Sequence, residues 1–433
     1  MPDNRRSTPR VDHVLGDPGL REAAARLGND LVKRAVVDAL GRCRAGEVAP
    51  SNVATVAIAS LPRVATQMRR VINATGVIVH TNLGRAPLSS AAIDAIVVAA
   101  GATDVELDLA TGARCRRGGS ALAALAAAVP DAETVHVVNN GAAALALVTA
   151  GLATGRNIVV SRGEMVEIGD GFRIPELLES VGALVREVGT TNRVRLADYE
   201  SAIDDDTAFI LKVHPSNFLV AGFTSSVPVA ALSTLSAPVV VDIGSGLLSD
   251  HPRLPDEPSA ATALRAGADL VTASGDKLLG GPQCGLVLGK QTLVESLRRN
   301  PFARALRVDK LTLAALEATL TGPTPPVVVA LSASESELRE RAERVCAEIS
   351  DVVDAVAVES VAAVGGGGAP GVEIPSAAVS LPPELADALR SGEPPVVGHV
   401  RDGRLLLDLI AVNPGDDLVL GDAVRRAAKS TLG

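Results

Sequence analysis

Between Thr134 and Leu288, short apolar runs recur with helical or loop-like stretches between them. The runs are Thr134–Val138, Asn157–Ser161, Ala183–Val188, Ala208–Val213, Pro238–Ile243, Asp269–Ala273 and Gly285–Leu288. Runs this short and this rich in β-branched residues predict buried strands, and their alternation with helical segments predicts an α/β fold with a mostly parallel sheet. Upstream the period changes. Residues 1–70 read as helices over Gly19–Leu27, Asp30–Ala45 and Val53–Arg70, with Leu31, Val32, Ala35, Val36, Ala39 and Leu40 at helical spacing in the second. Between the two regions, Arg69 to Leu88 is extended and turn-rich, a helix is predicted over Ser90–Ala100, and Asp108–Ser120 is irregular. Farther on, a helix is predicted from Arg304 to about Thr321, then a Pro-rich break, a helix over Ser334–Ile349 and strands near Val372–Ile374, Val396–Val400 and Leu405–Leu407. That pattern divides the chain into a helical domain over 1–68, an α/β domain over 69–325 and a small α+β domain over 326–433.

The ends of the apolar runs carry the chemistry. Ala268 to Ala273 leads into Ser274-Gly275-Asp276-Lys277-Leu278-Leu279-Gly280-Gly281-Pro282. Lys277 therefore sits on a tight, partly apolar loop, where desolvation frees the nucleophilic form of an amine. Such a lysine is a candidate Schiff-base residue; a solvated surface lysine is the ordinary alternative. The run Val239-Val240-Val241 ends in Asp242-Ile243-Gly244-Ser245-Gly246. Pyridoxal phosphate needs a carboxylate at its ring nitrogen. An Asp and a Lys at two strand ends of one parallel sheet can converge on one crevice, and the pair turns the balance toward a cofactor site. The first run enters Asn139-Asn140-Gly141-Ala142, and small residues at a strand-to-helix turn offer free amides for a phosphate, or simply a tight turn. His214, after the fourth run, either meets the cofactor or caps its strand. Polar clusters also follow the second, third and fourth runs, at Ser161 to Arg173, Gly189 to Arg193 and Lys212 to Phe218. Arg304 and Arg307, three apart on one predicted helix face, can clamp an anion. Arg114, Arg116 and Arg117 make either an anion-binding loop or an exposed one.

Composition narrows the partners. The 433 residues include no Trp, one Tyr and five Phe, so stacking of bases on aromatic platforms is not expected. Net charge is −9, yet residues 1–70 hold twelve Lys/Arg against seven Asp/Glu, leaving an acidic body behind a basic leading segment. That asymmetry suits an anionic partner docking at one end, or an ordinary solvated face. Cys43, Cys115, Cys284 and Cys346 show neither paired nor metal-ligand spacing, which suits a reducing cytosol. The polar start predicts no signal peptide, and no run is apolar enough to cross a bilayer. No metal is expected.

Taken together, the chain resembles the bacterial selenocysteine synthases, the L-seryl-tRNA(Sec) selenium transferases, nearly end to end. The resemblance lies in Ile72-Asn73-Ala74-Thr75-Gly76-Val77, Asn82-Leu83-Gly84-Arg85-Ala86-Pro87, Val138-Asn139-Asn140, Ser161-Arg162-Gly163-Glu164, Glu187 to Arg193, Ser274 to Pro282 and Arg304 to Leu313. It implies an aspartate-aminotransferase-like (fold type I) pyridoxal-phosphate enzyme, a cytoplasmic one, assembled as a ring of dimers, such as a decamer. By position, Lys277 is similar to the cofactor-linking lysine, Asp242 to the ring-nitrogen partner and Asp276 to the catalytic aspartate. Arg85, Arg304 and Arg307 resemble the arginines that hold the phosphate of selenophosphate, and the leading segment resembles the family's tRNA-reading domain. One stretch departs from the pattern: after Thr111-Gly112 the family's basic run is replaced by Ala113-Arg114-Cys115-Arg116-Arg117-Gly118-Gly119-Ser120. Two alternatives share parts of this reading. A pyridoxal-phosphate lyase acting on a small, perhaps phosphorylated, amino acid would use the same Lys277 and Asp242, and a non-catalytic RNA-binding scaffold would use neither.

Overall fold

The computed structural model describes residues 7–62, 64–169, 171–216 and 218–431. The first six residues and Arg63, part of the basic leading segment, lie outside the described residues, as do Asp170 and Asn217 from the polar strand-end clusters. The chain divides into two compact units, residues 1–70 and 71–433.

In the first unit, helices span Val11–Leu15, Pro18–Leu27, Asn29–Arg44 and Val53–Ser60. Asp17 caps the second, its carboxylate accepting from the Gly19 amide at 2.9 Å and the Leu20 amide at 3.3 Å, with Pro18 at the first helical position. Leu20, Val32, Val36, Leu40, Cys43 and Ala57 close the core. The last helix stops ten residues short of the predicted Val53–Arg70. Leu61 precedes Pro62, and a residue before proline is forced out of the helical region; here it is extended at φ −72° and ψ 138°.

In the second unit, a seven-stranded sheet runs in the spatial order Thr134–Val138, Gly285–Gly289, Leu270–Ser274, Val239–Gly244, Thr207–Val213, Asn157–Ser161 and Leu184–Val188. All pairings are parallel except the two made by Gly285–Gly289. Side chains alternate between two cores. Val135, Val137, Val159 and Val241 pack with helices Gly119–Ala128, Ala260–Arg265 and Lys310–Thr321. Val138, Ile158, Val160 and Val240 pack with Gly141–Leu152, Ile174–Ser180 and Gln291–Arg299. A parallel sheet covered on both faces must be apolar on both, which is why its strands read as continuous apolar runs.

The five-stranded sheet has the order His399–Arg401, Arg404–Asp408, Glu373–Leu381, Val356–Gly365 and Val77–Val79. Its last member comes from the turn-rich segment before the large sheet and pairs in parallel, Val77 with Ala363 and Val79 with Gly365. The strand Val356–Gly365 was not predicted, and Glu373–Leu381 is three times the predicted length. Glu359, Ser360, Ser376 and Ser380 break the apolar pattern. Three of them are satisfied inside the fold: Ser360 and Ser376 donate to the fully buried Asp408 carboxylate at 2.6 and 2.7 Å, and the Ser380 hydroxyl accepts from Arg404 at 3.0 Å. A further correction falls near the basic pair. The predicted Arg304–Thr321 helix is two helices, Pro301–Ala305 and Lys310–Thr321, the second capped by Asp309 accepting from the Thr312 amide at 2.9 Å. Arg307 lies between them and bridges to Val138, so Arg304 and Arg307 do not share one helical face.

Candidate active site

Lys277 follows the Leu270–Ser274 strand on a loop folded back on itself. The Gly275 amide donates to the Cys284 carbonyl at 2.8 Å, Gly281 to Gly275 at 2.9 Å and Gly280 to Lys277 at 3.0 Å. The Leu278 amide reaches across to the Ser245 carbonyl at 2.8 Å, tying this loop to the one after the neighbouring strand. On the other side stands the glycine turn of the five-stranded sheet. Gly367, at φ +88°, passes so close that a β-carbon there would sit 2.4 Å from the Lys277 Nζ. Burial pushes the Lys277 pKa down, opposed by the charge of Asp242 and assisted by that of Arg85.

Asp242 ends the adjacent strand, in register with Thr272, whose hydroxyl donates to its carboxylate at 2.7 Å. Burial raises its pKa, while the Thr272 bond and the positive charge of Lys277 pull the other way. The structure thus brings Lys277 and Asp242 into one recess at the carboxyl ends of parallel strands, each acting on the other's charge. His214 follows the next strand and donates its amide to the Asp242 carbonyl at 3.0 Å; burial lowers its pKa. Its Nε2 lies 3.8 Å from Glu257, a buried carboxylate that also accepts the Ala369 amide at 2.6 Å behind the glycine turn. Glu257 gave no sequence signal, because it sits in a proline-flanked loop without periodicity. Thr272 did give one, as a polar residue within an apolar strand.

Asp276 is 6% exposed and takes a 2.7 Å bond from the Arg85 guanidinium. Arg85 holds a left-handed backbone, φ 67°, and its amide donates to His80 at 3.0 Å. A non-glycine residue there costs on the order of 1–3 kcal/mol, and the pairing with Asp276 helps to hold it. At the sheet's far side, Asn140 caps the Gly141–Leu152 helix, accepting from the Ala143 amide at 2.8 Å. The Gly141 and Ala142 amides at this helix N-terminus donate to no other described backbone group. Gly285 lets the strand and the cap approach, since a β-carbon there would lie 2.0 Å from the Asn140 carbonyl oxygen.

Arg304 and Arg307 line a separate cleft of about 440 Å³ with Arg116, Arg117, Arg298 and Arg299. Arg85 is not among the residues lining it. A second cavity, of about 530 Å³, collects strand-end residues from the predicted polar clusters, including Glu164, Thr190, Arg193, Lys212 and His214. There Glu164 pairs with Lys212 and accepts the Val213 amide at 3.0 Å. Among the described residues no His, Cys, Asp and Glu group is arranged to hold a metal ion, and no helix is long and apolar enough to cross a membrane.

The site suits pyridoxal phosphate: an amine and a carboxylate lie close enough to act on each other's charge, and among the described residues the amides at a helix N-terminus, the buried Ser245 hydroxyl and one Glu257 oxygen have no partner. The structure of D-glucosaminate-6-phosphate ammonia-lyase shares the fold, with a TM-score of 0.59 at 20% identity, covering 84% of this chain and 97% of that one. That likeness shows the fold, an α/β architecture built on a mostly parallel seven-stranded sheet. A family profile described as L-seryl-tRNA selenium transferase matches residues 71–413, and one described as selenocysteine synthase N terminal matches residues 5–44. The L-seryl-tRNA(Sec) selenium transferase of Carboxydothermus hydrogenoformans is 38% identical over 439 residues, 94% of each chain. That of Hyphomonas neptunium is 39% identical over 457 residues, 98% of each. The chain belongs to the L-seryl-tRNA selenium transferase family.

Attachment of pyridoxal phosphate to the apoprotein, followed by visible absorbance, is expected to rise with pH through a midpoint below that of an ordinary lysine, because the neutral amine attacks. Arg85→Gln is expected to move that midpoint up, since a positive charge is removed and Asp276 loses its partner. A midpoint unmoved in the variant would mean that Arg85 does not act on Lys277.

Proposed function

We propose that the chain converts seryl-tRNA(Sec) to selenocysteinyl-tRNA(Sec), and that the recess between Lys277 and Asp242 is where it does so. The observation that carries the assignment to this recess is the closeness of a partly desolvated amine and a carboxylate, each acting on the other's charge, at adjacent strand ends. Bound there, pyridoxal phosphate supplies an electron sink for charge developing at the serine Cα. Lys277 would hold the cofactor's aldehyde carbon, Asp242 its ring nitrogen, and the amides of Gly141 and Ala142 beside Asn140 its phosphate, with His214 as a further residue assigned to the cofactor. Lys277, an amine of lowered pKa, would take the proton from the serine Cα. Asp276, oriented by Arg85, assists departure of the β-hydroxyl, which leaves as water. Selenium from selenophosphate would bond to Cβ while Lys277 returns the proton to Cα, and water would cleave the P–Se bond to release phosphate. The chemistry of the donor favours guanidinium partners, which give a phosphate both charge and orientation.

Arg85, Arg304 and Arg307 are the residues we assign to that donor. Arg85 sits beside Asp276 while the other two line another cleft, so the three serve one phosphate when Arg85 of one copy faces Arg304 and Arg307 of a neighbour. A homo-oligomer, in our reading a ring of dimers, supplies that arrangement. Exposed Ile93, Val97 and Val98 on the Ser90–Ala100 helix, with Leu107 and Leu109 nearby in sequence, favour self-association. The basic helical unit is the element we assign to tRNA docking, in keeping with a cytoplasmic enzyme of translation.

Lys277→Ala is expected to lose both the visible absorbance of the bound cofactor and selenium transfer to seryl-tRNA; retention of both would remove Lys277 from its role. Co-expressed Arg85→Ala and Arg304→Ala chains are expected to regain activity that neither has alone, about one site in four for a two-fold pair. No recovery in isolated mixed dimers would put all three arginines in one subunit. Deleting residues 1–65 should weaken tRNA binding at least tenfold with cofactor content unchanged, and unaltered tRNA affinity would remove the docking role.

A further inference from the structure

The cleft that holds Arg304 and Arg307 has more positive charge than one donor phosphate requires. Four further guanidiniums line it: Arg116 and Arg117 from the irregular loop, and Arg298 and Arg299 from the last turn of the Gln291–Arg299 helix. Two carboxylates offset them in part. Glu106 lies 3.4 Å from Arg117 and 3.8 Å from Arg307, and Glu295 lies 3.7 Å from Arg299. His136, on the first strand of the large sheet, forms part of the wall. Its Nε2 is buried without a hydrogen-bond partner, and so is the Nε of Arg117. Burial, then the charges of Arg298 and Arg116, push the His136 pKa down to about 4. At neutral pH it is an uncharged group with an unused nitrogen facing a basic cavity. Buried polar groups left unpaired are costly, so two in one cleft mark a place where a ligand completes the bonding.

We propose that this cleft takes a second anionic group beside the donor phosphate, a phosphodiester of the substrate RNA close to its aminoacylated 3′ end, held by Arg116 and Arg298 with His136 at the wall. The inference rests on the seryl-tRNA reading given above. A serine esterified to the terminal ribose cannot reach the reacting centre without bringing the adjoining phosphodiesters with it. Among the cleft-lining residues there is no Phe, Tyr or Trp, while guanidiniums are plentiful, so the phosphodiester backbone is the part the cleft is best equipped to hold. A free phosphate would satisfy the same guanidiniums, and the two sources are separable by experiment.

Arg116→Gln, Arg298→Gln and His136→Leu are each made in the full-length holoenzyme. Cofactor absorbance, expected to be unchanged, reports an intact fold. For the two arginine variants seryl-tRNA binding should weaken about three- to tenfold, and the slope of log K against log salt should shrink by about 0.7 per lost contact to a single strand. His136→Leu should weaken binding without changing that slope. The KM for selenophosphate, and inhibition by inorganic phosphate, should stay within twofold of wild type. A raised selenophosphate KM with unaltered tRNA binding would give the whole cleft to the donor and overturn the proposal, as would variants that change neither. Wild-type turnover of seryl-tRNA, measured alongside, tests the underlying reading separately.

Discussion

A partly buried amine close to a partly buried carboxylate is the constraint on which the rest of the molecule depends. Lys277 and Asp242 stand at the ends of adjacent parallel strands, and burial acts against the charge of each. Burial disfavours the charged form of each, so the arrangement depends on a stiff scaffold around it. The stiffness comes from strands buried on both faces and from Thr272, which donates to Asp242 from the neighbouring strand. In the proposed function, pyridoxal phosphate linked to the amine and met by the carboxylate at its ring nitrogen would turn that electrostatic tension into binding.

The recess is closed from a second direction. The five-stranded sheet brings the Gly365–Gly368 turn against Lys277, and Glu257 pins the following Ala369 amide while facing His214. The same sheet recruits Val77–Val79, whose chain continues into the His80–Arg85 turn. Arg85 is thereby carried to Asp276. One piece of architecture therefore sets the glycine wall behind the amine and the arginine beside it, and a shift of this sheet would disturb both together.

The arginines divide into two groups with different surroundings. Arg85 is tied to a carboxylate in the recess, whereas Arg304 and Arg307 belong to a broad basic cleft with only Glu106 and Glu295 to offset it. The proposed ligands, a phosphate donor and an RNA end, are both anions, and in a chain with almost no Phe, Tyr or Trp the guanidiniums are the groups suited to hold them.

The amino-acid sequence alone determined the seven strands of the large sheet, because a strand covered on both faces has to be apolar throughout and ends where glycine, asparagine or aspartate interrupts it. It also placed Lys277, Asp242, Asn140 and His214 at strand ends, where an open α/β sheet opens its crevice. Local patterning failed where distant partners decide the outcome. Val356–Gly365 is a strand because Glu373–Leu381 and Val77–Val79 flank it, and its serine is satisfied by Asp408, far along the chain. The Arg304–Arg307 spacing predicted a shared helix face, yet Asp309 starts a new helix and Arg307 pairs with Val138. Glu257, the Arg85–Asp276 pair and the gathering of six arginines around His136 were decided by the tertiary structure, since each joins segments that no local periodicity connects.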